Sequence, residues 1–237
     1  DPDALREGLL GTAAAKAAPP ARNPRGLSAI VWTATGRARG FAPERHNVIF
    51  SNDYRAEFDA LFREGRLADH PTLYICAQDR GAGAPPDGPE RFLILMNAPA
   101  DGDTRAYPLQ ETDAWLDRTL TRLDQCGFGL DIASAAATAP DGFAAAFPGS
   151  AGALYGRALH GWRAAFLRPG ARTRLPGLYL AGGGTHPGAG VPTSMLSGRT
   201  AARSILADFT STPRSRRAAI AGSTPTPQAK TGASASS

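Results

Sequence analysis

Apolar positions recur along the chain in two patterns, short runs typical of strands and helical spacing typical of amphipathic helices. The predicted strands are residues 27–33, 48–51, 72–77, 92–97 and 130–133. The predicted helices are residues 54–63 with Asp53 as the N-cap, 110–126, and a short one at 141–147. Strands separated by turn-rich segments favour an antiparallel or mixed sheet. We therefore expect an α/β (α+β) fold built on that sheet.

The same patterns predict which side chains are buried. The buried face of helix 54–63 is expected to contain Tyr54, Phe58, Leu61 and Phe62. The large strand side chains Trp32, Tyr74, Phe92 and Met96 are each more readily explained as core than as ligand contacts. Cys76 and Cys126 are expected to be reduced core thiols, because no CxxC pair or Cys/His cluster indicates a metal site.

Residues 177–206 combine a strand, a glycine-rich turn and a helix. The apolar run 178–181 predicts a strand covered on both faces. Five glycines and one proline then fall within residues 182–190, so most of this backbone has no Cβ and can approach a bulky group. A helix is predicted to begin near Pro192, and a helix N-terminus suits an anionic or carbonyl-rich ligand. The alternative is a tight turn that binds nothing.

Charge and composition narrow the classes of partner. The chain is 42% hydrophobic and 20% charged, which is typical of a globular protein. The net charge is +5, but residues 210–237 carry four basic residues and no acid, so the rest is nearly neutral. This distribution argues against a nucleic-acid groove and permits contact with an anionic membrane surface. Residues 210–237 are rich in Ser, Thr, Ala and Pro and are predicted to be a disordered basic tail.

Several kinds of chemistry have no support in the sequence. No GxSxG, HExxH or P-loop motif is present, so hydrolase, metalloprotease and nucleotidase functions are not indicated. No apolar run approaches the ~20 residues of a membrane-spanning helix, and no signal peptide is evident. His186 is a lone histidine in the glycine-rich turn, where a hydrogen-bonding role is more common than catalysis. The catalytic residue is therefore unknown, and no metal site is expected.

A specific resemblance is carried by the sequence LYLAGGGTHPGAGVP at 178–192. It resembles the C-terminal flavin-contacting segment of FAD-dependent carotenoid desaturases, the phytoene desaturase family within the amine-oxidase-like flavoproteins. Further similar stretches are LSAIVWTATGR (27–37), HNVIFSNDYRAEFDALF (46–62), PTLYICAQDR (71–80) and GALYGRALHGWRAAFLRPGARTRLPGLYLAG (152–182). They resemble most closely the bacterial branch that desaturates hydroxy- or methoxyneurosporene. The resemblance covers roughly residues 24–208.

The resemblance implies a fold, a cofactor and a reaction. The fold would be the C-terminal part of a glutathione-reductase-like FAD-binding domain with a substrate-domain sheet, one face of which lines an apolar tunnel. FAD would accept a hydride from an allylic carbon of a carotenoid, leaving a new double bond. The cofactor-binding residues would be Gly183, Gly184, Gly190, Val191, Pro192 and Thr193. The protein would be cytoplasmic and peripheral to the inner membrane.

The implied domain boundaries divide the chain into four parts. These are a helix and linker at 1–25, a partial substrate-binding domain at 26–150, the C-terminal segment of the FAD-binding domain at 151–209, and the tail at 210–237.

The G-x-G-x-x-G turn on which such enzymes place the FAD pyrophosphate is absent. We therefore expect this chain to be the C-terminal half of a longer enzyme, with the N-terminal half missing and the fragment inactive alone. Two alternatives remain open. One is another flavoprotein of the same fold, such as an amine oxidase or retinol saturase, and the other is a non-catalytic remnant that binds lipid or a partner.

Overall fold

The structure, a computed structural model, describes residues 1–18, 20–21, 24–81, 86–158 and 167–211. The strands are β1 (Ser28–Gly40), β2 (His46–Ile49), β3 (Leu73–Ala77), β4 (Glu90–Ala98) and β5 (Phe128–Thr138). The helices are α1 (Pro2–Arg6), α2 (Thr12–Ala15), α3 (Tyr54–Asp59, continued by a π-helical turn at Ala60–Glu64), α4 (Leu109–Gln125), α5 (Pro140–Ala146) and α6 (Val191–Ser211). The predicted mixture of helices and strands is confirmed, as is the predicted helix start beside Pro192.

The five strands form a single antiparallel sheet in the order β2-β3-β4-β1-β5. Strand β1 pairs with β4 on one side and β5 on the other, so that Trp32 lies between Ile94 and Ala137. A register shift between Thr35 and Gly36 marks a bulge in the β1–β5 pair. Strands β1 and β5 are much longer than the apolar runs that predicted them, since they continue into segments of polar, glycine and alanine residues that have no large apolar side chains.

The hydrophobic core lies between one face of this sheet and helix α4. Every second strand residue points into it, as the period of a β-strand requires. Its fully buried members include Ile30, Trp32, Leu73, Ile75, Phe92, Ile94 and Met96 from the strands and Leu123 from α4. The prediction that Trp32, Phe92 and Met96 are core residues is confirmed, whereas Tyr74 lies on the opposite face and is only partly buried.

Helix α3 begins as predicted, and its predicted buried face is confirmed in part: Leu61 is 4% exposed, and Phe58 and Phe62 are partly buried. The Asp53 carboxylate accepts a hydrogen bond from the Ala56 N–H at 2.9 Å, which confirms the N-cap. Tyr54, expected to be buried, is 59% exposed, whereas Glu57 is only 1% exposed. The burial of Glu57 is compensated because its carboxylate accepts from the backbone N–H of Thr72 at 3.0 Å and from the Thr72 hydroxyl at 2.6 Å.

Two further expectations are wrong in part. Residues 178–181 form no strand. A strand needs a continuous neighbour, whereas in this segment only Tyr179 makes a bridge, an isolated one with Arg172. Its leucines pack instead against α1 and α2, through Leu5, Ala14 and Ala18. Both cysteines are free, but Cys126 is exposed at the C-terminus of α4 and Cys76 is only partly buried on β3, so neither is a core thiol.

Helix α6 continues through Ser211, so the first two residues of the predicted tail are helical. The remainder of that tail, 212–237, lies outside the described residues. Within the part of the chain that the structure describes, no helix is both long enough and apolar enough to cross a bilayer.

Candidate functional site

The glycine loop, residues 182–190, leads directly into helix α6. The backbone N–H of Ser194 donates to the carbonyl of Gly190 at 2.8 Å, which is the first bond of the helical ladder. The N–H groups of Val191 and Thr193 therefore lie ahead of that ladder, at the positive end of a 21-residue helix. Such a junction attracts an anionic or carbonyl-rich group.

Two of the predicted cofactor-binding glycines have a stereochemical reason to be glycine. Gly190 has a φ of +115°, and a Cβ there would lie 3.0 Å from the Thr193 hydroxyl oxygen. At Gly184 a Cβ would lie 2.6 Å from the Cδ of Pro2, at the start of α1. Any larger side chain would move the loop at either position.

The other predicted residues complete the same junction. The Thr193 hydroxyl is 2.7 Å from the Ala189 carbonyl and 3.0 Å from that of Gly190, so it stabilises the turn into α6. Val191 is 76% exposed and Pro192 is also exposed, whereas Gly183 is partly buried against Ala189. All six predicted residues thus lie on one loop–helix junction. Their contact with a cofactor stays a prediction.

A buried hydroxyl pair inside the loop was missed by the sequence reasoning. Thr185 is 2% exposed and Ser197, on α6, is 1% exposed. The Thr185 hydroxyl is 2.7 Å from the Gly182 carbonyl and also contacts the Ser197 hydroxyl, which accepts from the Gly182 N–H at 3.2 Å. The sequence signal that could have identified Thr185 is the THPG tetrapeptide, in which only His186 was considered as a functional residue.

His186 itself lies on the outside of the loop. It is exposed, and its backbone N–H donates to the Pro169 carbonyl at 2.8 Å. These observations give it no catalytic role, and the catalytic residue stays unassigned. Among the described residues, no group of three or more His, Cys, Asp or Glu side chains is arranged to hold a metal ion.

The far end of α6 is fixed to the segment before the loop by Asp208. Its carboxylate accepts from the Arg172 guanidinium at 2.9 Å and from the Tyr179 hydroxyl at 2.7 Å. These hydrogen bonds, first from Arg172 and then from Tyr179, hold the pKa of Asp208 below its ordinary value. The same carboxylate raises the pKa of Tyr179. These contacts tie the last turns of α6 to Arg172 and Tyr179.

A second surface of interest is the face of the sheet opposite α4. The side chains of Val31, Leu93 and Leu95 on this face are only partly buried. At its edge, the His46 Nδ1 and the Tyr74 hydroxyl are 2.8 Å apart. The face therefore combines apolar side chains with the exposed polar residues Thr33, Thr35 and Arg91, and it carries the His46–Tyr74 pair at one end.

Comparison with known proteins decides the family. The model for flavin-containing amine oxidoreductases matches residues 48–206, more than half of the chain. The chain belongs to the flavin-containing amine oxidoreductase family. This match confirms the resemblance at the level of the family. The cofactor of the family is a flavin, so the chemistry of the glycine loop has to be compared with what a flavin requires.

Curated relatives narrow the branch within this family of amine oxidoreductases. The chain is 47% identical to hydroxyneurosporene desaturase of Rubrivivax gelatinosus, over 98% of this chain and 45% of the relative. It is 48% identical to hydroxyneurosporene desaturase of Cereibacter sphaeroides, over 90% of this chain and 43% of the relative. Phytoene desaturase of Neurospora crassa is 29% identical over 74% of this chain. The chain spans somewhat less than half the length of the two hydroxyneurosporene desaturases.

The backbone groups of the glycine loop are of the chemical kind that a flavin requires. Gly184 packs directly against Pro2, and Gly190 has a φ of +115° that side chains rarely adopt, so these two glycines fix the shape of the loop. The N–H groups at the start of α6 supply donors for its carbonyl or phosphate oxygens.

Proposed function

We propose that the full-length protein containing this chain is an FAD-dependent carotenoid desaturase that acts on hydroxyneurosporene, methoxyneurosporene or a phytoene-like carotenoid. The supporting observation is the glycine loop at the N-terminus of α6, in a chain 46–48% identical to three hydroxyneurosporene desaturases. Within that protein, this chain would form the C-terminal part of a glutathione-reductase-like FAD domain together with a substrate-domain sheet. The division at residues 26–150 and 151–209 belongs to the same proposal.

The loop residues would hold the flavin by backbone contacts. Gly190, Val191, Pro192 and Thr193 would hold the carbonyl edge of the flavin ring, and Gly183 and Gly184 would lie nearer its ribityl and pyrophosphate groups. The chemistry that a bound flavin would supply is acceptance of a hydride from an allylic carbon of the substrate, with loss of a proton as the double bond forms. The protein supplies placement and a site from which water is excluded.

The half-exposed sheet face would line the substrate site. Val31, Leu93 and Leu95 offer apolar side chains that are not fully covered in the described structure. A polyene has no charge and almost no hydrogen-bonding groups, so burial of apolar area is the main interaction available to it. Because such a substrate is dissolved in lipid, we also propose peripheral contact with a membrane.

The test is Gly190→Val in the full-length enzyme. Valine adds a β-branched side chain at a φ of +115°, where its Cβ would meet the Thr193 hydroxyl. We expect bound flavin to fall to about a tenth of the wild-type content or less, with loss of desaturation, since a displacement of about 1 Å can cost on the order of a hundredfold in rate. Flavin absorbance and carotenoid chromatography measure the two effects.

The matched control is Gly198→Val, on the same helix, where an added Cβ has nothing within 4 Å. It should retain flavin and activity, and circular dichroism checks that both variants fold. Retention of both properties by folded Gly190→Val would remove the loop from the site. If the enzyme desaturates none of the carotenoids named above and instead oxidises an amine or saturates retinol, the result would favour the alternative flavoproteins of the same fold.

A further inference from the structure

Arg168 is a buried arginine that joins two separate segments of the chain. Its side chain lies under the glycine loop, and the residue is 7% exposed. One terminal nitrogen of the guanidinium donates to the carbonyl of Gly183, in the loop. The other donates to the carbonyl of Tyr155 at 2.9 Å. A single side chain thus connects the first half of the glycine loop to the backbone near residue 155.

The charge of Arg168 is not neutralised by an acid in the described structure, where all its hydrogen-bond partners are backbone carbonyls. Of the two acids at the start of the chain, Asp3 is paired with Arg157 at 2.8 Å and with Arg6, and the Asp1 carboxylate accepts from the backbone N–H of Asp3 at 2.9 Å. Burial lowers the pKa of the Arg168 guanidinium, as expected for a cation removed from water. Removal of such a cation from water costs free energy, and the hydrogen bonds to backbone carbonyls offset part of that cost.

A further donor of Arg168 lies beside the second half of the loop. Its Nε–H is buried and has no hydrogen-bond acceptor in the described structure. The Nε lies 3.5 Å from the position that a Cβ on Gly188 would occupy, so a side chain at this position would meet the guanidinium. Arg168 is therefore bonded to the first half of the loop at Gly183 and lies close to the second half at Gly188.

We infer that Arg168 is a positioning residue that holds the glycine loop in the shape that receives the flavin, an inference that rests on the proposed function. The planar guanidinium carries donors in fixed, divergent directions, and this lets it bond the carbonyls of Gly183 and Tyr155 at once. A lysine ammonium retains the charge but is a compact group on a flexible chain. It does not reproduce this two-segment bridge.

The experiment measures flavin affinity in the full-length enzyme with three variants. Arg168→Met removes the donors and the charge, and Arg168→Lys keeps the charge alone. Arg172→Met is the control, because Arg172 is a nearby exposed arginine whose partner is Asp208. Apoprotein is titrated with FAD, and the visible circular dichroism of bound flavin reports the asymmetry of its site. We expect the dissociation constant to rise at least tenfold in Arg168→Met, severalfold in Arg168→Lys, and less than twofold in Arg172→Met.

A second readout uses the 237-residue chain without flavin. Hydrogen exchange of the loop amides at 183–190 should accelerate at least tenfold in Arg168→Met and be unchanged in Arg172→Met. If Arg168→Met does not fold, Arg168→Lys decides the outcome. Wild-type flavin affinity and dichroism in a folded Arg168 variant would overturn the inference and leave the proposed function intact. Failure of the wild-type enzyme to bind flavin would overturn the proposed function, and the inference with it.

Discussion

The sheet with α4 and the glycine loop with α6 are stabilised by different interactions. In the sheet, large side chains such as Phe92 and Ile94 are completely buried, and burial of apolar area supplies the stability. In the loop, the fixed geometry comes from hydrogen bonds of Thr185, Ser197 and Arg168 to backbone groups, and from glycines with positive φ. From this comparison we expect the sheet to provide most of the stability, whereas the hydrogen bonds of the loop fix the shape of the proposed ligand site.

The sharpest test of this difference is Phe92→Ala in the sheet. Phe92 is 1% exposed, and truncation of such a side chain leaves a cavity among well-packed neighbours. We expect the free energy of unfolding to fall by about 3–5 kcal/mol. Urea unfolding followed by circular dichroism measures this free energy.

Phe50→Ala is the matched control, since Phe50 is 66% exposed and its loss should change the free energy of unfolding by no more than about 0.5 kcal/mol. Equal effects of the two substitutions would mean that the sheet is not the stabilising region.

A smaller and more local effect is expected from Thr185→Val in the loop. Valine has nearly the shape of threonine but lacks the hydroxyl that bonds Gly182 and Ser197. The local opening free energy should fall by about 1–3 kcal/mol, because buried partners are left without a bond. Hydrogen exchange of the loop amides detects the opening, while global unfolding should change less than in Phe92→Ala.

The double variant Thr185→Val/Ser197→Ala separates a hydrogen-bond effect from a packing effect. Because the two hydroxyls bond each other, the combined loss should be clearly smaller than the sum of the two single losses. Strict additivity would contradict the network described for the loop.

The smallest effect is the pH dependence contributed by Asp208. Its pKa is lowered in the folded protein by Arg172 and Tyr179, so the ionised carboxylate stabilises the fold above the unfolded pKa of about 3.9. This contribution is lost as the pH falls through the lower, folded pKa. Asp208→Asn should therefore reduce the difference in melting temperature between pH 7 and pH 3. Asp113→Asn, an exposed substitution on α4, is the control, and an equal reduction in both variants would exclude the specific role of Asp208.

Much of the sheet was predictable because its signals are local. Alternating burial along β3 and β4, and the N-cap at Asp53, depend on residues close together in the chain. The outer half of β1 was not predicted, since its small and polar residues become a strand only through pairing with β5. At residues 178–181 a strand was predicted that does not form. This apolar run matches the strand pattern, but its leucines pack against the segment of α1 and α2 instead of pairing in the sheet.

The sequence alone determined most of the element types, the glycine-rich composition of the loop and the family resemblance, because these depend on residue type and spacing. Only the tertiary structure decided that Glu57 is buried beside Thr72, that Thr185 bonds Ser197, and that Arg168 lies under the loop. The partners of these polar groups lie 12 to 15 residues away in the chain. Burial of a charged or hydroxyl side chain becomes favourable only when folding brings such distant partners within hydrogen-bonding distance.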